Sequence, residues 1–256
     1  MGELTLDCRS MHTHRFPCWL LFAAMALSLA ACAKKDIPMT TPKADYEKAK
    51  KMVMEQKNYD MAAYFLQKFA SAHPYSHYTP QAELLRAYAA YKGDELPLVE
   101  FICQHFISLH PKHPDVVYAE YLLAMAYFQE RSPPENDQTM TMKAINEFKL
   151  VIREHPDTAY AKDASRHLQH LYNSLAGHEV TVGKFYFDHK QYVAAANRFQ
   201  TVIRSYQTTP SIKEALYYLA ASYAALGLKT DAHQTAVLLQ SNYPRSKWSA
   251  KAKAFL

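Results

Sequence analysis

From residue 43 onward the chain alternates apolar, helix-spaced stretches with short breaks that close on proline. Pro74, Pro111, Pro156 and Pro244 each follow such a stretch, and twelve residues before them stand Ala62, Val99, Ala144 and Ala232. Three of these four are alanine, small enough for two helices to approach closely. A fifth stretch repeats the stripe through Tyr192, Ala195, Phe199 and Val202, with Pro210 arriving slightly late. Apolar residues at this spacing predict amphipathic helices, and proline cannot continue a helix, so each proline marks a stop. Upstream, Gly183 with Tyr186 and Ala220 with Tyr223 mark first helices whose tyrosines pack against the second. The interval from Pro111 to Pro156 is longer than the others. Its excess is the polar run from Arg131 to Gln138, which holds Pro133 and Pro134 and breaks the helix. Five helix pairs are expected, near 43–74, 77–111, 115–156, 157–208 and 211–245. In the fourth, the first helix is expected from about Ala159 to Leu175, with a restart near Glu179.

Helix pairs repeating at about 34 residues are the tetratricopeptide pattern. One pair cannot bury its apolar face alone, so the pairs must stack. The expected fold is all-α, a right-handed tetratricopeptide-repeat solenoid of about five helix pairs. Its concave surface is of the kind that receives extended peptides or partner helices. Composition agrees, because after residue 32 only Gly93, Gly177, Gly183 and Gly227 remain, too few for strands joined by tight turns.

The N-terminus follows a different pattern. Arg9 and Arg15 lie in a polar leader, and Phe16 to Ala31 is apolar apart from Ser28. That run is short for a membrane span and fits a signal-peptide core. The word Leu29-Ala30-Ala31-Cys32 resembles the acceptor of a bacterial lipoprotein signal, with Cys32 becoming the lipidated N-terminus. Ala33, in place of Asp, by the same resemblance favours transfer to the outer membrane. Translation starts at Met1 or at Met11. The expected organisation is a signal peptide over 1–31 and a lipidated terminus with flexible linker over 32–43. Repeats 1–3 follow over 44–156, and repeats 4 and 5 over 157–256. Processing leaves Cys103 as the free cysteine, which its Phe101-Ile102 neighbours mark as a small buried hydrophobe rather than a nucleophile.

No phosphate-cradling glycine loop, Gly-x-Ser-x-Gly or Cys-x-x-Cys occurs, so no enzymatic chemistry is expected. His167 and His170, three apart on a helix, read as a solvated face, and His110 and His113 as parts of a turn. The formal net charge is +5 and the isoelectric point about 8.8. That mild excess suits an anionic membrane surface or acidic partners, and no basic block points to nucleic acid.

Several stretches resemble the BamD (ComL) family of outer-membrane protein assembly lipoproteins. They include Pro74-Tyr75-Ser76-His77-Tyr78-Thr79-Pro80-Gln81, His110-Pro111-Lys112-His113-Pro114-Asp115, Leu175-Ala176-Gly177-His178-Glu179 and Ala194-Ala195-Ala196-Asn197-Arg198-Phe199. Ala87-Tyr88-Ala89-Ala90-Tyr91-Lys92 and Phe185-Tyr186-Phe187 belong with them. Family members usually carry Arg-Tyr-Pro-Phe-Gly-Pro-Tyr in the first loop, where this chain reads Ala72-His73-Pro74-Tyr75-Ser76-His77-Tyr78. That departure bears on peptide preference. The resemblance implies a non-enzymatic scaffold of the β-barrel assembly machinery, with no cofactor beyond a covalent diacylglycerol and N-acyl lipid on Cys32. It implies anchoring at the periplasmic face of the outer membrane. C-terminal repeats would dock on the periplasmic domains of the barrel subunit BamA, beside other machinery subunits. N-terminal repeats would receive the targeting strands of unfolded β-barrel precursors. His73, Tyr75, Tyr78 and Gln81 are the candidates for substrate-peptide binding, the tyrosines serving either as an aromatic shelf or as loop packing. Arg198 and Arg204 are the candidates for BamA contact, Arg198 equally a structural salt-bridge partner. The alternative is a tetratricopeptide lipoprotein that regulates peptidoglycan enzymes or cell division.

Overall fold

A computed structural model describes residues 38–256. Cys32 and the signal region lie outside the described residues. Thr40–Leu256 form one compact unit. Its helices are α1 (Pro42–Met54), α2 (Tyr59–Ala72), α3 (Thr79–Lys92), α4 (Leu96–Leu109), α5 (Val116–Gln129), α6 (Thr139–Glu154), α7 (Ala159–Asp188), α8 (Tyr192–Ser205), α9 (Ile212–Ala225), α10 (Lys229–Asn242) and α11 (Lys247–Ala252), closed by a 3-10 turn, Lys253–Phe255. Among the described residues there are no strands, and no helix is long and apolar enough to cross a membrane.

Each second helix is anchored by one apolar register. Counted back from the residue that ends the helix, positions 4, 7 and 11 are Phe69, Leu66 and Ala62 in α2, and Phe106, Cys103 and Val99 in α4, all buried. They are Val151, Phe148 and Ala144 in α6, Val202, Phe199 and Ala195 in α8, and Leu239, Ala236 and Ala232 in α10. The expected small residues therefore lie at the deepest contacts. Cys103 occupies the slot that holds Leu66, Phe148 and Phe199 elsewhere, and burial pushes its thiol up to about 12. It is a packing group rather than a nucleophile.

The helix ends repeat as well. His73, His110, His155, Tyr206 and Tyr243 end the second helices with φ between −126° and −136°. Each donates its backbone N–H to the carbonyl four residues back, and in four of the five a proline follows. The turns inside the pairs use left-handed residues: Lys57, Asp94, Lys190 and Gly227. The next N–H then returns to the first helix, as Glu95 to Ala90, Gln191 to Tyr186 and Leu228 to Tyr223, satisfying carbonyls that would otherwise be orphaned. The α5–α6 pair differs, its turn being replaced by the proline-bearing insertion. Arg131 folds back there over the Phe128 ring at 3.9 Å, and Glu135 lies 3.7 Å from His178.

First helices touch the first helices of the next pair: α1 with α3, α3 with α5, α5 with α7 and α7 with α9. Among the described residues no two second helices approach closely through their backbones, and α4 and α6 meet only by long side chains. The first helices thus form the inner layer of a curved stack and the second helices the splayed outer layer. Half-buried polar rivets join successive layers. The Glu100 carboxylate accepts from Tyr127 at 2.7 Å and Lys143 at 3.2 Å, and Lys184 reaches Glu214 at 3.0 Å.

One expectation is corrected. α7 does not stop near Leu175 and restart near Glu179; it runs unbroken for 30 residues. Its Leu171 and Leu175 belong to the core of α3–α7, while Ala176 and Val180 belong to that of α7–α9. Gly177 is tolerated mid-helix because Thr181 donates to its carbonyl at 3.0 Å and the neighbouring helical bonds persist.

Candidate binding groove and partner surface

The inner layer carries a cavity of about 300 Å³ built wholly on first helices and the loop before α5. Tyr46 and Met54 come from α1, Gln81, Leu84, Leu85 and Tyr88 from α3, Asp115 and Tyr118 from the start of α5, and Tyr160 from α7. Stacking of the repeats, rather than any one segment, brings these rings together. Tyr118 and Tyr160 stand 5.8 Å apart, and Tyr121 closes on Tyr160 at 5.2 Å. Burial raises the Tyr46 and Tyr118 phenols, so both stay protonated and able to donate at neutral pH. Gln81 Oε1 is buried with no hydrogen-bond partner among the described residues. A buried carbonyl without a donor favours a ligand that brings one, such as the N–H of an extended backbone.

The four candidates for peptide binding do not form a single shelf. Gln81 lines the groove. Tyr78 stacks on Tyr46 at 5.3 Å and so buttresses a groove wall, with the His77 ring tilted 4.0 Å from it. Tyr75 is fully exposed at the loop tip. His73 points inward, its Nε2 2.9 Å from Asp45 Oδ2 and its ring edge against Phe69. Burial by itself would raise the Asp45 carboxyl. Hydrogen bonds from His73 and from the N–H and hydroxyl of Thr40 outweigh it and hold the carboxyl below the usual range. His155 and Glu120 repeat the pair at 2.9 Å, and His110 lies 4.0 Å from Glu83. These histidines stand where second helices meet first helices in repeats 1–3, and His73–Asp45 is the hydrogen-bonded pair among them.

Arg198 and Arg204 are both exposed on α8 and point to different neighbours. Arg198 lies 3.3 Å from Glu179 across α7–α8, the structural ion pair expected as its other role. Arg204 donates to Gln200 at 3.0 Å, and Gln200 donates to Tyr223 at 2.6 Å. His167 differs from its expected solvated face: it stacks on Phe148 and lies 3.2 Å from Asp163. His170 is exposed.

Sequence reasoning missed Tyr46, Tyr88, Tyr118 and Tyr160 as a group. The available signal was the recurrence of tyrosine on first helices, which reads equally as core packing until the stack is built.

Residues 38–239 match the family model for the YfiO outer membrane lipoproteins. The chain belongs to this family. A curated relative from Rickettsia prowazekii, named outer membrane protein assembly factor BamD, is 38% identical over 230 residues, covering 89% of this chain and 92% of its own length. A relative of the same name from Neisseria meningitidis is 31% identical, covering 91% of this chain and 94% of its own. A solved Podosopora anserina putative kinesin light chain with tetratricopeptide-like repeats aligns at 14% identity and a TM-score of 0.42, over 81% of this chain and all of its own. Membership places this chain among the outer membrane lipoproteins.

Proposed function

We propose that this chain is a non-enzymatic scaffold of the β-barrel assembly machinery. It holds unfolded β-barrel precursors by their targeting strands while its C-terminal repeats dock on the periplasmic domains of the barrel subunit BamA. The observation that carries this reading is its likeness, along nearly the whole length of both chains, to relatives named as outer membrane protein assembly factors. The geometry supports the division of labour. The tyrosine-lined groove suits an extended strand whose aromatic residues insert among Tyr46, Tyr118 and Tyr160 and whose backbone donates to Gln81. Tyr78 contributes by holding Tyr46, while His73 acts through Asp45 on the fold of the first repeat. Arg204, exposed and paired only with a neutral amide, is the stronger of the two arginines for a charge contact with BamA; Arg198 would have to exchange Glu179 for its partner. Diacylglycerol on Cys32 anchors the chain to the periplasmic face of the outer membrane, and no other cofactor takes part.

Photocrosslinking in cells from position 81 and position 204, followed by mass spectrometry, tests both halves. Position 81 should capture barrel precursors and position 204 a large barrel protein. Capture of cell-wall hydrolases or synthases at both, with no barrel protein at either, would replace this reading by that of a cell-wall regulator.

A further inference from the structure

The groove on the first helices has a charge character that an aromatic lining does not by itself require. Asp115 is the charged residue of that lining, and no Lys, Arg or His belongs to it. Its side chain is 54% exposed, which places it at the mouth. Among the described residues no Lys or Arg pairs with it. His113 Nδ1 lies 3.8 Å from Asp115 Oδ2, yet that nitrogen accepts the Asp115 backbone N–H at 3.1 Å. A ring nitrogen that accepts carries no proton, so it offers the carboxylate no donor.

The tyrosines beside it, Tyr46, Tyr88, Tyr118 and Tyr160, are unclaimed in the same sense. Elsewhere in this protein cations rest on rings, as Lys48 does 5.2 Å from Phe65 and Lys184 5.6 Å from Tyr218. Among the described residues none rests on the groove tyrosines. Burial first, and then the charges of Glu47 and Asp115, raise the Tyr46 phenol, so the Asp115 carboxylate is within electrostatic reach of that ring. Gln81 Oε1, buried without a donor, adds an acceptor of the same polarity. Ring faces, a carboxylate and a bare carbonyl all attract positive charge. Among the described residues no group of His, Cys, Asp and Glu could hold a metal ion, which leaves an organic cation as the fitting ligand.

We propose that the groove mouth takes a cationic side chain, arginine before lysine, carried by the bound strand two residues from its inserted aromatic. Residues i and i+2 of an extended strand point to the same side, about 7 Å apart. The aromatic can then enter the groove while the cation stays at the half-exposed mouth. A guanidinium lies flat on a tyrosine face and keeps donors in its plane for the Asp115 carboxylate. A lysine ammonium lacks that flat fork and is held less tightly. An acidic side chain at the same position meets Asp115 and is rejected. The inference names the class of strand that the groove selects, and it rests on the strand-holding reading above.

Fluorescence anisotropy tests it, with the full-length chain in detergent and three labelled peptides of alternating apolar and polar residues. Each holds one Phe and, two residues away, an Arg, a Gln or a Glu. The Arg peptide should bind about tenfold more tightly than the Gln peptide, by a margin that shrinks as salt rises, and the Glu peptide should bind least. Asp115→Asn should bring the Arg and Gln peptides within about twofold of each other and leave the affinity for the Gln peptide unchanged. That side chain is exposed and makes no capping bond to α5, so the variant should fold, which circular dichroism checks. Tyr160→Leu should weaken the Arg peptide more than the Gln peptide. Asp231→Asn, at an exposed acid on α10, should change neither. Equal affinity for the Arg and Gln peptides, or an Arg preference that survives Asp115→Asn, would overturn this inference and leave the strand-holding reading in place. An Arg preference with no loss of affinity when Phe is replaced by Ala would keep the cation site and remove the aromatic-strand reading. Binding by none of the peptides would overturn both.

Discussion

Gly183 and Gly177 lie six residues apart in one helix and answer opposite demands. A Cβ on Gly183 would meet the Phe199 ring at 2.6 Å, while one on Gly177 would meet nothing within 4 Å. Gly183 is where α7 and α8 approach closely enough to bury Phe199 completely. Gly183→Ala should cost about 1–3 kcal/mol by overpacking. Gly177→Ala should add about 0.5–1 kcal/mol, since alanine has less backbone entropy to lose at a mid-helix position. Urea unfolding of both variants measures the pair; equal effects would mean that the α7–α8 register is wrong. Asp45 supplies a second residue-scale test. Its folded-state carboxyl titrates below the unfolded value, so its contribution is fully present above about pH 4 and fades as pH falls through the lower folded value. Asp45→Asn should remove about 1–3 kcal/mol at neutral pH by breaking a buried network. It should also flatten the acid limb of stability against pH, read by thermal melts between pH 3 and 7. His73 was not legible as a structural group from sequence. Its partner stands 28 residues away, and only the folded α1–α2 pair brings it within 2.9 Å.

At the scale of elements, the stops were legible and one continuity was not. The prolines after His73, His110, His155 and Tyr243 mark helix ends because the chain cannot continue through them, and Ala62, Val99, Ala144 and Ala232 lie at the expected tight contacts. α7 defeated the same logic. Leu-Ala-Gly-His reads as a break by local propensity, yet packing on both flanking cores holds the helix through it. That helix contributes buried residues to both cores, with Tyr206 at the end of α8 packed against each, so it should carry cooperativity between them. Gly177→Pro should cost about 3 kcal/mol or more and divide a single thermal transition into two, resolved by calorimetry. One sharp transition at an unchanged midpoint would show that α7 does not couple the halves.

At the scale of the whole molecule, the groove on α1, α3, α5 and α7 and Arg204 on α8 lie on different helices, which suits a scaffold with two partners. The solenoid class was legible because its signal recurs five times along the chain. The groove was not, because Tyr46, Gln81, Tyr118 and Tyr160 come from four helices and meet only through stacking of first helices. The candidate loop was legible in place but divided in role: Gln81 faces the groove, Tyr78 supports it, Tyr75 faces solvent and His73 faces the core. The central claim is that this stack grips the barrel-assembly apparatus rather than cell-wall enzymes. Purification of the tagged full-length chain in mild detergent, with quantitative mass spectrometry of what accompanies it, tests this most directly. A large β-barrel protein in near-equimolar amount, reduced when Arg204 is changed to Glu, is the predicted result. Cell-wall hydrolases or synthases in that amount, with no barrel protein, would contradict the account.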